Sequence, residues 1–329
     1  MLLSRLTSFE KDCLYEHLLE TQMEYRDLLN LNDDTTFGIE IEAYTEEFVN
    51  ISKSTFIEDM IKIKNKTYSS WQLTEEKKLG PNDESGYELI SPILTNTKET
   101  WSSLKEACEF LKSEKLFINE KCGAHVHVGL KTIEKDNIVN IFKLWAAFED
   151  VLYRFSFGEY TNPRVNMIKY SAPIRNQILK IINSQNLDEQ DLNNILNNFF
   201  LGKNKAINIQ NIRDYVMYGE NKPTIEFRMS NGTLNPIIWQ NLINVYSRMI
   251  EYASDNFYIE MIDYLLETEE VPNFGESYFY SKNYFERALL FSDLIFKKTE
   301  DKIYFLKQYI KDGTYTKEKT LVKSLSFTK

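Results

Sequence analysis

The stretch CGAHVHVGL, residues 122–130, decides how the chain is read. Side chains of a β-strand alternate between two faces, so residues two apart share a side. Cys122, Ala124, Val126 and Val128 then form an apolar face, and His125 and His127 point the other way, flanked by Gly123 and Gly129. The segment reads as a strand with one face for a core and one face for chemistry. Glycines beside the histidines predict room for a bulky ligand to approach the backbone.

Three more stretches have the same build. In FGIEIEAY (37–44), Phe37, Ile39, Ile41 and Ala43 oppose Gly38, Glu40 and Glu42. In YELI (87–90), Tyr87 and Leu89 oppose Glu88; in TIEFR (224–228), Ile225 and Phe227 oppose Glu226 and Arg228. If these strands share a sheet, four carboxylates, two imidazoles and a guanidinium converge on one surface. Crowded carboxylates repel, and one is neutralised unless cations intervene. Divalent metals are the simplest solution, and a site rich in oxygen and poor in nitrogen prefers magnesium or manganese to zinc. Arg228 is no metal ligand, and its planar fork suits a phosphate beside the metals. Taken singly, each piece has an ordinary reading: E-x-E as a solvated face, E-x-R as an ion pair, His17 as a surface residue of an N-terminal helix. Together, on otherwise core-like strands, they point to a site.

These motifs, in this order, resemble the amidoligase family, a branch of the glutamine synthetase and glutamate–cysteine ligase superfamily. The resemblance runs from about Thr36 to Ala253 and is carried by FGIEIE, YELISPIL, CGAHVHVGL and TIEFRMSNGTL. It implies an α+β fold: a glutamine-synthetase-like curved antiparallel sheet forming a funnel-shaped active site, backed by helices. It implies an ATP-dependent carboxylate–amine ligase working through an acyl phosphate, with Mg2+ or Mn2+ as cofactor. Position by position, Glu40, Glu42, Glu88, His125 and Glu226 look like metal ligands, His127 like a nucleotide-phosphate contact, and Arg228 like the phosphate-binding arginine. Glu40, Glu226 and Arg228 are thereby the catalytic set. Arg164 looks like a phosphate or substrate contact, and Lys205 and Asn208 lie in a segment that lines the site in the family. Trp71 followed by Glu75 or Glu76 is similar to a tryptophan–aspartate segment, but the family's aspartate–glycine–serine here reads Glu76-Lys77-Lys78. The expected partners are small-molecule or peptide carboxylates and amines.

Competing readings stay open at this stage. A phosphotransferase of the same fold would stop at a phosphorylated product. A non-catalytic nucleotide-binding protein would keep the site without turnover. A zinc or iron hydrolase needs further His or Asp ligands, and only His17 is left over.

The rest of the chain sets bounds. At 329 residues, 43% hydrophobic, it can bury a sizeable core. A net charge of −10 argues against nucleic acid as main partner. The locally basic stretch from Asp301 to Lys329 reads as a solvated tail, with an acidic partner as the other option. Three cysteines form no disulfide framework and fit a reducing compartment. No run is long and apolar enough to span a membrane, and the start MLLSRLTSFEKD is no signal peptide, so a cytoplasmic protein is expected. A homo-oligomer is possible, since the superfamily includes rings.

The expected organisation is a helical segment at 1–33, a catalytic domain at 34–255 and a helical extension at 256–329. Apolar spacing predicts helices at 8–30, 51–68, 98–113 and 134–157, with an Asn-rich helix-turn segment at 176–204. KAINI (205–209) alternates like a strand, Pro92 ends or sidelines the YELI strand, and Pro236 opens a helix to Tyr252.

Overall fold

The computed structural model describes residues 2–45, 71–76, 79, 86–220, 222–255, 257–268 and 285–311. The expected helix at 51–68 and the basic stretch beyond 311 lie outside these residues; the part of that stretch from Asp301 to Lys311 is no solvated tail but mostly buried.

The chain is a mixed α+β protein built on one antiparallel sheet. Its strands are β1 (Thr36–Tyr44), β2 (Gln72–Glu75), β3 (Gly86–Ile90), β4 (Leu94–Thr95), β5 (Gly123–Gly129), β6 (Ile207–Asn208) and β7 (Thr224–Asn231). The order across the sheet is β2-β3-β1-β5-β7-β6, with β4 pairing the start of β1 beyond the end of β3. Pro92, which has no N–H to give a ladder, falls in the break between β3 and β4. The alternation in the sequence sets the faces: Phe37, Ile39, Ile41, Ala124, Val126, Val128, Ile225 and Phe227 are all buried on one side.

Helices cover that side. They include α1 (Ser8–Glu20), α2 (Lys98–Ser113) and α3 (Lys135–Ser156). The short α4 (Met167–Tyr170), α5 (Arg175–Ser184), α6 (Leu192–Asn198) and α7 (Gln210–Tyr218) form the Asn-rich region and its sequel. The long α8 (Pro236–Asp255) is followed by α9 (Ile259–Thr268), α10 (Phe285–Ile295) and α11 (Thr299–Ile310). Phe37 of β1 stacks on Trp101 of α2 at 5.4 Å between centroids, and Phe227 of β7 stacks on Tyr246 of α8 at 4.3 Å. Truncating such a buried aromatic to Ala typically costs about 3–5 kcal/mol. One hydrophobic core runs from Leu3 to Ile310, and both ends of the described chain enter it. Asp293 of α10 accepts from the Leu3 and Ser4 amides, and Lys307 of α11 donates to Leu19 O.

Two expectations give way. The first helix stops at Glu20, not 30, and its apolar Phe9 and Cys13 are exposed. Beyond it the backbone is claimed by tertiary partners: Arg26 N donates to Gln240 Oε1, Leu29 N to Asn96 Oδ1 and Asn32 N to Glu251 Oε1, each at 2.9–3.0 Å. The KAINI strand shrinks to Ile207–Asn208, while Lys205 joins an isolated parallel bridge to Ala172. Among the described residues no helix is long and apolar enough to cross a membrane.

Candidate active site

Register turns the separate motifs into one array. Glu42 of β1 sits opposite Glu88 of β3, and Glu40 opposite His125 of β5. His127 sits opposite Glu226 of β7, which is opposite Asn208 of β6. All seven project from the face turned away from the helices, because each lies at odd spacing from its apolar neighbours.

The distances are short. His125 Nδ1 is 2.8 Å from Glu40 Oε2 and 3.7 Å from Glu226 Oε1, and His125 Nε2 is 3.7 Å from Glu42 Oε1. His127 Nε2 is 3.0 Å from Glu40 Oε1. Glu42 also accepts from the Gly123 amide, and Glu226 from Asn208 Nδ2 at 2.8 Å and from Arg228 Nη1. Two overlapping groups can each present three ligand atoms within 4.8 Å of one another: Glu40, His125 and Glu226, and Glu42, Glu88 and His125.

Electrostatics show what the acids lack. Burial alone would raise the Glu40 carboxyl, but hydrogen bonds and charge from His125 and His127 outweigh it and hold it well below the usual carboxylate range. Glu88 goes the other way: burial and the charges of Glu40 and Glu42 push it up to about 8. For His127, burial favours the neutral ring, yet the bond to Glu40 and the charge of Glu226 raise its pKa. His125 Nε2 is buried with no hydrogen-bond partner. Divalent cations fit this donor set: they would relieve the repulsion at Glu88 and occupy the unused imidazole nitrogen. Ligands about 2.1 Å from magnesium lie roughly 3–4 Å apart, close to the spacing found. Each group contains one imidazole, and His17 is exposed on α1, so the nitrogen-rich zinc pattern is absent from both.

Two arginines flank the acids. Arg228 projects from β7 beside Glu226, with its Nε unpartnered. Arg164 is 5% exposed and braced on protein oxygens: its guanidinium donates to Lys121 O, Ser171 Oγ and Arg228 O. It lies 3.8 Å from Glu42, and burial lowers its pKa. The glycines beside the histidines make room for protein neighbours, and Gly129 also lines a cavity. A Cβ on Gly123 would come 2.8 Å from Arg164 Nη1, and one on Gly129 would come 2.1 Å from Thr36 Oγ1.

A cavity of about 620 Å3 opens over the array, lined by Glu40, Glu42, Glu88, His125, Arg164 and Arg228, with Glu76 also on its wall. The Trp71 indole is buried and donates to Ser103, so in that segment Glu76, not Trp71, reaches the cavity. Lys203 and Asn204 line the cavity, whereas Lys205 does not. Lys121, Lys169 and Tyr170 also line it and carried no motif in the sequence. A second cavity of about 650 Å3 shares Glu40 with the first and reaches His127 between apolar walls at Ile90, Pro92, Ile93 and Pro223.

Residues 33–250 match the family described as "Putative amidoligase enzyme", and the chain belongs to that family. No curated protein sequence matches the chain. Among solved structures, a bifunctional glutathione synthetase from Pasteurella multocida is similar over 93% of this chain at 12% identity, with a TM-score of 0.42. The chain spans about half of that protein, 49% of its length. A likeness this loose says nothing about fold or activity here.

Proposed function

We propose that this protein is an ATP-dependent carboxylate–amine ligase with a glutamine-synthetase-like funnel, its catalytic residues drawn from 34–255 and buttressed by the helices on either side. The observation that supports it most is the row of Glu88, Glu42, Glu40, His125 and Glu226 across four strands, with Arg164 and Arg228 beside it, in a member of the amidoligase family.

A carboxylate does not react usefully with an amine in water, because its leaving group is poor. Transfer of the terminal phosphoryl of ATP to the acid gives an acyl phosphate; attack by the amine then forms the amide and releases phosphate. The protein's work in both steps is positioning and charge neutralisation. Magnesium or manganese would be held by Glu40, Glu42, Glu88, His125 and Glu226, with His125 serving one ion through one ring nitrogen, and would supply positive charge to phosphate oxygens. Arg228 carries the charge on the transferring group, and Glu226 and Asn208 hold its neighbourhood in place. His127, oriented by Glu40, contacts nucleotide phosphate, and the apolar cavity beyond it receives the nucleoside. Arg164 faces the acid from the opposite cavity.

The test is ADP release with pooled carboxylates and amines, followed by product mass. An amide with one phosphate released per ADP is expected. A stable phosphorylated product would make the protein a phosphotransferase instead, and tight ATP binding with no turnover would make it a nucleotide-binding protein.

A further inference from the structure

The chain carries 49 acids in 329 residues and a net charge of −10, yet residues 160–187 and 192–213 contain no Asp or Glu. At the chain's own frequency these two stretches would hold about seven. They carry Arg164, Lys169, Lys203 and Lys205 among their bases. The fold joins them: Ala172 bridges Lys205, with Ala172 N donating to Asn204 O and Ala206 N to Ala172 O. That junction sets Lys169, Tyr170, Lys203 and Asn204 on one wall of the 620 Å3 cavity, next to Arg164. The Lys169 ammonium lies 5.0 Å from the Tyr170 ring centroid. Asn166, left-handed at φ 61°, starts the short α4 that presents Lys169.

Neither Lys169 nor Lys203 has an acidic partner among the described residues. Lysines elsewhere do: Lys143 pairs with Asp263 and Lys302 with Asp293, both at 2.7 Å. Of the cavity's carboxylates, Glu40, Glu42 and Glu88 stand on the sheet, where divalent ions would consume their charge, and Glu76 lies just past the end of β2. What remains is a cationic wall with no acid of its own among the described residues, in a cavity of the size that takes a ligand much larger than a single amino acid. A wall of one sign steers and retains the opposite charge.

We propose that the acid joined by this enzyme is a polyanion, an acidic peptide or oligomer whose additional carboxylates lie against Lys169 and Lys203. This rests on the ligase reading. It excludes a neutral or singly charged acid as preferred substrate, and it assigns the two lysines to specificity and not to ATP.

The test is calorimetric binding of triglutamate and triglutamine to the full-length protein with magnesium and a non-hydrolysable ATP analogue. Wild type, Lys169→Gln/Lys203→Gln and Lys169→Arg/Lys203→Arg are compared. Triglutamate should bind and triglutamine should not. The Gln pair should weaken triglutamate about tenfold, the sum of two partly screened ion pairs, and the Arg pair should restore it. Raising salt should weaken binding, while affinity for the ATP analogue stays the same in all three proteins. Equal binding of the two peptides, absence of triglutamate binding, or an undiminished Gln variant overturns the proposal. A loss of ATP-analogue affinity in the Gln variant also overturns it, by giving the wall to the nucleotide. Charge-dependent triglutamate binding without ADP release from any acid and amine would sink the ligase reading alone. Efficient ADP release with neutral acids would sink the polyanion alone.

Discussion

Replacing Glu88 by Gln removes one negative charge from the most crowded acids in the molecule and leaves the shape of the side chain. In the metal-free protein the Glu88 carboxyl is pushed from an ordinary 4.5 up to about 8 by burial and by Glu40 and Glu42. Between those values the folded protein holds a proton at Glu88 that the unfolded chain has released. The stabilisation from that proton is complete below about 4.5 and is lost as pH rises through about 8. At about 1.4 kcal/mol per pH unit the whole interval would amount to about 5 kcal/mol. Glu88 opens partly to the cavity, and solvent screening reduces this to roughly 1–3 kcal/mol. For a chain this size that is roughly 2–10 °C in Tm. His127, with its raised pKa, adds loss of stability in the same direction, so the difference between wild type and variant isolates Glu88. Thermal melts in chelator from pH 5 to 9 should show wild type losing stability and Glu88→Gln losing less by that amount. Magnesium should reverse the loss in wild type and stabilise the variant less. Parallel curves for the two proteins would refute the crowding argument.

Glu40→Gln and Arg228→Ala should each abolish ADP formation, with circular dichroism unchanged; turnover near wild type in either variant removes that residue from the mechanism. Gly123→Ala sets a methyl against the Arg164 guanidinium, which is already pinned by three oxygens. A displacement of that kind should slow ADP release by about 10–100-fold with the fold intact. Away from the cavity, buried Glu149 accepts from Trp145 Nε1, Ile174 N and Arg175 N at the start of α5. Glu149→Ala leaves three donors without a partner and should cost about 3 kcal/mol or more in denaturant unfolding.

The strand alternation was legible because a residue two along a strand must return to the same face. Glu40, Glu42, Glu88, His125, His127, Glu226 and Arg228 could be sorted from their apolar neighbours before any pairing was known. The helices at 98–113 and 134–157 were legible to within a residue at either end, since their apolar stripes are long. Register was not legible. That Glu42 meets Glu88 and Glu40 meets His125 depends on ladders between distant segments. The irregularity opposite Ala124 and Val126 was also hidden: β7 holds an extra residue there, so Ser230 turns to the helices and bonds Tyr246 while Arg228 keeps the open face. The cationic wall was missed because it sits on loops and a four-residue helix, where no period marks a face. Its available signal was the absence of acids at 160–187 and 192–213. The first helix was overextended because its continuation is held by side-chain acceptors on α8 and before α2, which spacing cannot reveal.

Anomalous diffraction from crystals grown with manganese and a non-hydrolysable ATP analogue tests the account at its centre. Peaks are expected among Glu40, Glu42, Glu88, His125 and Glu226, with Arg228 on the terminal phosphate. Manganese bound elsewhere, or nucleotide bound with these carboxylates left bare, would contradict it.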